Sequence, residues 1–577
     1  MKRLLFLLMV IVALTSCNEG SLITTEMPPE IIIDNTSGVY TTKVDRPITI
    51  TPQYKYVEDA LYQWSVEGYD GYIQSVNEPS FTFTSSEVGS YYVQVKVTTD
   101  YGTDREEVRI DVVDLEIPTI SMMGTQRDYT IQQGYELMFA PTVKATSIPT
   151  TYCWTLNGVM VSEELTYTFC SEELGDYVLA FAAENEDGRD EVVLNIRVCT
   201  PDQMPFSWRF DQTTYNYAIG RSIRIMPAEV VNGEGAVYSW VVDGVTMQEG
   251  NSSTWICDLA QEGAHRVQAI ATVVKDDVQI TVTQELEVNV CAPEGTYRRA
   301  AHAASSALWN KVYEYTPAPG QFINETATGG FDGTQTTAEA ACLYAEQRML
   351  ADNWVSLGGF GGYIVVGFDH SIANNNGYDF AVKSNCFTNS SEPGVVWVMQ
   401  DENGDGLPND TWYELRGSES GAATTIQDYA ITYYRPEAAG MPVQWSDNQG
   451  NNGQIEYLAA FHSQDYYYPM WVEADAYTLR GTLLESRCYD KSGNGSYWVL
   501  PEYDWGYVDN YSATDCNREG DKANTFDISN AVNYAGQVIA LQYVDFVKVQ
   551  TAVNAQCGWI GENSTEVTGM YDCGINN

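Results

Sequence analysis

The stretch Asp401-Glu402-Asn403-Gly404-Asp405-Gly406-Leu407-Pro408-Asn409-Asp410 puts side-chain oxygens at loop positions 1, 3, 5, 9 and 10 and glycine at position 6. A D-x-[DN]-x-[DN]-G loop curls so that its oxygens converge on one hard cation, and the glycine permits the sharp turn. Calcium takes about 6–8 oxygens, so backbone and water must add to Asp401, Asn403, Asp405, Asn409 and Asp410. Position 12 is Trp412 rather than Glu, and no helical pattern precedes Asp401, so this is no EF-hand. The expectation is a structural Ca2+ loop. The same composition also suits a plain turn between strands, where Asp and Gly are favoured.

Two aromatic clusters come next. One runs Tyr466, Tyr467, Tyr468, Pro469, Met470, Trp471, and the other is Trp498, Tyr503, Trp505 and Tyr507. Aromatic faces stack on sugar rings or flat macrocycles, and neighbouring Asp, Asn and Glu supply hydrogen bonds. Tyr467, Trp471, Trp498, Tyr503, Trp505 and Tyr507 are therefore the expected ligand-binding residues. Sheet core with cross-strand pairs is the competing use of such rings. Asp545 breaks an apolar phase of Ile539, Leu541, Tyr543, Val547 and Val549, so it needs a partner, a metal or a bulge that turns it outward. Gly358–Gly362 (GGFGG) lacks a following Lys-Ser/Thr and opens a strand, which fits a bend better than a phosphate cradle.

Catalytic signatures are thin. The four histidines are His265, His302, His370 and His462, and no H-E-x-x-H, G-x-S-x-G or Cys–His arrangement occurs. No catalytic residue is assigned. With 78 acidic residues some carboxylates must pair in space, so a carboxylate-dependent glycan hydrolase remains an alternative.

The elements that position these groups follow from the chain as a whole. Its 577 residues exceed one core and predict three to five units. The net charge of −48 repels nucleic acid and anionic membrane surfaces, which excludes nucleic-acid binding. Lys2-Arg3, an apolar run from Leu4 to Leu14 and Leu14-Thr15-Ser16-Cys17 have the order of an export signal, and the run is too short to span a bilayer. Of twelve cysteines, none has C-x-x-C spacing, and an exported chain can carry disulfides whose connectivity sequence leaves open.

Three stretches repeat one another. Trp64, Trp154 and Trp240 lie 90 and 86 residues apart, each followed 21–25 residues later by a turn glycine, Gly89, Gly175 or Gly263, that leads into an alternating strand. Period-two alternation over short strands predicts β-sandwiches. Residues 292–577 do not repeat this unit. There Thr336 and Glu339 predict a capped helix whose face carries Ala338, Ala341, Cys342, Ala345 and Met349. Strands are expected at 362–369, 394–400, 429–434 and 537–549. One large jelly-roll-like β-sandwich is the natural reading, with a split into two near residue 440 as the alternative.

Several of these features resemble known families. The Leu-Thr-Ser-Cys end of the signal resembles a bacterial lipobox, which implies cleavage before Cys17 and acylation of that residue. The 401–410 loop resembles helix-free calcium loops of extracellular β-proteins. The strand Trp, the [VL]G-x-Y strand and the terminal V-x-V strand resemble PKD-like and immunoglobulin-like modules of bacterial surface proteins. SLGGFGGYIVVGFDHSI, EPGVVWVMQDENGDG, FDISNAV and GENSTEVTG resemble Bacteroidetes cell-surface lipoproteins, which implies an outer-membrane, lipid-anchored protein beside an uptake system such as a TonB-dependent transporter. The resulting expectation is all-β: signal peptide 1–16, lipidated tether 17–27, PKD/Ig-like modules at 28–114, 115–199 and 200–291, and a ligand-binding β-sandwich at 292–577. Its ligand would be a glycan first and a corrinoid such as cobalamin second. The other alternative is an adhesin that binds host or matrix protein through its modules.

Overall fold

The computed structural model describes residues 27–67, 78–275, 277–326, 333–462 and 464–575. The export signal and Cys17 lie outside them. The chain divides into two compact units, residues 1–116 and 117–577.

The first unit is one β-sandwich. Its larger sheet orders Val39–Lys43, Gly102–Val113, Gly89–Thr99 and Leu61–Val66, with the first pair parallel. Alternation turns Val93, Val95 and Val97 inward with Val108, Ile110 and Val112, and Trp64 is fully buried among them. The short ladder Ile48–Ile50 with Phe81–Phe83 closes the other side, and Trp64 stacks on Phe81.

The second unit repeats this scheme twice. The sheets Asp128–Gln132, Gly188–Cys199, Gly175–Asn185, Thr151–Leu156, Val159–Ser162 and Thr214–Ala218, Val278–Cys291, Gly263–Lys275, Val237–Val242, Val245–Gly250 have the same order and the same parallel edge pair. Trp154 stacks on Tyr167 and Trp240 on Trp255, the positions that answer to Phe81. Two residues past each turn glycine sits a second shared device. The Tyr91 and Tyr177 hydroxyls lie 2.7 and 2.8 Å from Ser85 and Ser171 and donate to the carbonyls of Glu87 and Glu173. In the third module His265 takes that place, held by Asp243 and the carbonyl of Gln261. Its role is to fix a corner, and both contacts raise its pKa.

The remaining region is also β-rich. A six-stranded antiparallel sheet orders Lys311–Thr316, Tyr363–Ala373, Tyr543–Thr551, Gly394–Met399, Trp412–Leu415 and Ala531–Val532. A four-stranded sheet, Asn452–Ile455, Val443–Asp447, Ile426–Tyr434 and Ala476–Leu483, has its own core around Tyr433, Tyr467 and Leu479. The helix Ala338–Leu350 packs Ala341, Ala345 and Met349 inward as expected. Its cap is Thr337 rather than Thr336, because Thr337 accepts from the Ala340 amide. The expected strand at 537–549 begins only at Tyr543. Within GGFGG, Gly358 has φ +68°, and a Cβ at Gly362 would lie 1.8 Å from the Leu357 carbonyl, so this is the bend that the residues predict.

The second and third modules are not free spacers. Gln444 donates to the Ala140 carbonyl, Asn216 to the Asn409 carbonyl, and Thr411 to the Asn216 carbonyl. Arg221 bridges Glu294 and Glu402, and Arg224 pairs with Asp428 at 2.6 Å. Both modules are thus docked on the terminal region through their loops and edges.

Candidate functional site

The expected ligand-binding aromatics divide between cores instead of lining one hollow. Tyr467 and Trp471 are 1% and 6% exposed, and Tyr503 and Tyr507 are each 2% exposed. Tyr467 belongs to the core of the four-stranded sheet, Trp471 packs on Tyr315 in the main core, and Tyr503 and Tyr507 form a third cluster. Each tyrosine hydroxyl meets a backbone group: Tyr503 donates to the Glu485 carbonyl, while Tyr467 and Tyr507 accept from the amides of Leu458 and Glu419. A ring whose polar tip is satisfied in this way is stable inside, which is why these three tyrosines are structural, and Trp471 is held by its packing in the main core. Trp498 is half-buried against Gly558. Of the six, Trp505 alone borders a sizeable cavity, about 280 Å³, with Tyr378, Arg416 and Asp515.

The 401–410 loop closes largely on itself. Asp401 accepts from the amides of Gly404 and Gly406, Asp405 from Leu407, and Asp410 from Glu402. The Asn403 amide donates to Asp405 and Asn409. Asp410 Oδ1 is buried without a hydrogen-bond partner, and burial pushes the Asp410 carboxyl up to about 7. Asp545 ties the loop down. It is fully buried and accepts from the Arg299 guanidinium, the Ser371 hydroxyl and the Asp401 amide. Among the described residues, the one group of three carboxylates close enough to share a cation is elsewhere, at Glu392, Asp509 and Glu566. Burial raises all three.

A cavity of about 350 Å³ opens between the third module and the terminal region. The third module contributes Tyr215, Asn216 and Arg224, and the loop contributes Asn409 and Asp410. The six-stranded sheet supplies the rest. Register places Lys548 opposite Trp397, and Trp397 opposite Glu414. Side chains at paired positions share a face, so Lys548 lies among rings: its Nζ is 5.0 Å from the centre of Trp397, 4.9 Å from Trp412 and 5.6 Å from Tyr363. Burial lowers Lys548 to about 8 against the opposing pull of Glu314 and Glu414. Burial raises Glu414 to about 7 although Thr482 donates to it at 2.6 Å. At the rim, Arg480 donates to the carbonyls of Asp428 and Ala228.

This arrangement has the marks of a binding site: a concave hollow, aromatic walls and a few convergent polar groups with displaced pKa values. The sequence reading passed over Trp397, Trp412 and Lys548. The available signal was Lys548 itself, a cation inside the apolar alternation of VDFVKVQ, comparable to Asp545 three residues earlier.

His370 is buried between Asp369 and Asp572, at 2.7 Å from each, and faces a structural pair of carboxylates. Cys488 and Cys557 form a disulfide, and the sulfurs of Cys386 and Cys516 lie 3.8 Å apart.

Sequence comparison bears on the modules. The family profile of the PKD-like domain matches residues 28–99 and 117–185. No curated protein matches the chain. Solved structures with some likeness include three N-terminal domains of the bacteriophage RB49 outer capsid protein Hoc (14% identity, 45% of this chain, 98% of that one, TM-score 0.21). Others are the titin I-band fragment I67–I69 (14%, 46% and 99%, TM-score 0.21) and the fibronectin(III)-like modules of Clostridium thermocellum CbhA (16%, 32% and 100%, TM-score 0.17). Scores this low carry no argument about function. The matched segments, with the three-fold repeat of sheet order and buried tryptophan, make this a protein of tandem PKD-like, immunoglobulin-like β-sandwiches followed by a further β-rich region.

Proposed function

We propose that this chain is a surface binding protein of a bacterial envelope, tethered through lipid on Cys17, that captures a glycan in the cleft between its third module and its terminal region. The cleft itself carries the reading. It combines the rings of Trp397, Trp412, Tyr215 and Tyr534 with the amides of Asn409 and Asn533 in about 350 Å³. Ligand pockets run from about 300 to 1,000 Å³. A volume near the lower bound suits one or two sugar rings and is small for a corrinoid macrocycle. A neighbouring TonB-dependent transporter would take the captured ligand onward.

The test is glycan-array screening of the whole chain and of W412A. Trp412 is half-buried at the cleft wall, so its truncation should abolish binding while the melting temperature changes little. Glycan binding that survives W412A would refute the assignment to this cleft, and turnover of a bound glycan would move the chain to the hydrolases.

A second reading concerns the loop beside the cleft. A calcium ion held by Asp401, Asn403, Asp405, Asn409 and Asp410 is favoured by the orphaned Asp410 Oδ1. A chelator should then lower the melting temperature of the whole chain, and an unchanged value would discard the ion.

A further inference from the structure

We infer that the cleft selects acidic sugars, seating a ligand carboxylate on Lys548 Nζ beside Trp397 and Trp412. The inference rests on the cleft being the ligand site.

Its basis is a cation without acceptors. Lys548 Nζ has three N–H donors, yet among the described residues it makes no hydrogen bond, and no carboxylate lies within ion-pair distance. What surrounds it is the three rings of Tyr363, Trp397 and Trp412. Ring faces attract an ammonium but offer its N–H groups no oxygen. The two nearest acids are engaged: Glu314 accepts from the Tyr363 hydroxyl at 2.9 Å and Glu414 from the Thr482 hydroxyl at 2.6 Å. Lys548 is half-buried, and a partly desolvated charge without its hydrogen bonds is costly. In a chain of 78 acids and 30 bases, a carboxylate neighbour for this lysine would be easy to supply. Its absence leaves donors directed to whatever enters the cavity that Lys548 lines.

The surrounding charges agree. Arg480 donates to two backbone carbonyls, which fix its position, and pairs only loosely, at 3.9 Å, with the exposed Asp211. Arg224 and Asp428 pair with each other. Burial pushes Glu414 up to about 7, so near neutrality that carboxyl is partly protonated and repels an incoming anion less. The aromatic wall of Trp397, Trp412, Tyr215 and Tyr534 then suits the face of a sugar ring, which makes a uronate-containing oligosaccharide the ligand class rather than an acidic peptide.

The experiment is calorimetric titration of the whole chain with oligogalacturonate, with its carboxyl-reduced neutral counterpart and with oligoglutamate. The expected result is binding of the oligogalacturonate, at least tenfold weaker binding of the neutral sugar, and reduction of the first to the level of the second in K548M. Protection of Lys548 from an amine-reactive label by oligogalacturonate, read by peptide mass spectrometry, gives the same answer without any substitution. Equal binding of acidic and neutral sugars, unaffected by K548M, would overturn the inference and leave the cleft as a neutral-glycan site. Lys548-dependent binding of oligoglutamate in place of the sugar would overturn the sugar class. No binding of any probe would overturn both this inference and the proposed function.

Discussion

Glu562 offers a quantitative test of how the terminal region is built. It is 3% exposed; Oε1 accepts from the Gln321 amide at 2.8 Å, and Oε2 has no hydrogen-bond partner. Burial is the main reason that its carboxyl is raised from 4.5 to about 8, with Glu566 adding to it. An acid whose folded-state pKa is raised holds its proton more tightly when folded, so its contribution is favourable at low pH and is lost as pH climbs from the unfolded value towards the folded one. One pKa unit corresponds to about 1.4 kcal/mol. Between pH 5 and pH 7 the folded carboxyl stays largely protonated while the unfolded one ionises, so this single group costs roughly 2–3 kcal/mol over that interval. Glu562→Gln imitates the protonated acid, keeps a carbonyl for the Gln321 amide and does not titrate. Urea unfolding of the whole chain and of E562Q, followed on the transition that the substitution moves, should give nearly equal stabilities at pH 5. At pH 7 the variant should be ahead by roughly 2–3 kcal/mol. Parallel pH profiles for the two proteins would show that Glu562 is ionised or solvated in the fold, and the argument from burial would fail.

Other outcomes follow from the same packing. Trp471→Ala should lower stability by about 3–5 kcal/mol, as truncating a core aromatic does, while W471F should leave glycan binding intact. Loss of binding in a stably folded W471F would restore the aromatic-platform expectation. Asp545→Ala removes the acceptor shared by Arg299, Ser371 and the Asp401 amide and should cost about 3–5 kcal/mol, checked by thermal and urea unfolding. Oxidation by a small disulfide reagent should join Cys386 and Cys516, whose sulfurs are 3.8 Å apart, giving a cross-linked peptide in a non-reducing digest. Persistence of both thiols after prolonged oxidation would contradict that geometry. Trp240→Ala should destabilise the third module by about 3–5 kcal/mol, read as a lower-melting transition.

The repeats were legible because each module writes its own core along a short stretch of chain. Trp64, Trp154 and Trp240 recur at near-constant spacing, and the alternation after Gly89, Gly175 and Gly263 specifies which side chains face inward whatever lies beyond. The helix over Ala338–Leu350 and the bend at Gly358–Gly362 were readable for the same reason, since capping and left-handed backbone are local requirements. Aromatic composition alone could not separate core from site. Tyr467, Trp471, Tyr503 and Tyr507 look like ligand platforms as a string of letters, and became core once strands from distant parts of the chain covered them. The cleft was invisible for the converse reason: Arg224, the Asn409–Trp412 segment and Lys548 are far apart in sequence, Trp412 and Lys548 coming together in the six-stranded sheet and Arg224 joining them where the third module docks on it. Local periodicity, in short-range physics, determined the modules; which charges and rings face a hollow depends on long-range pairing, and that was decided by the tertiary structure.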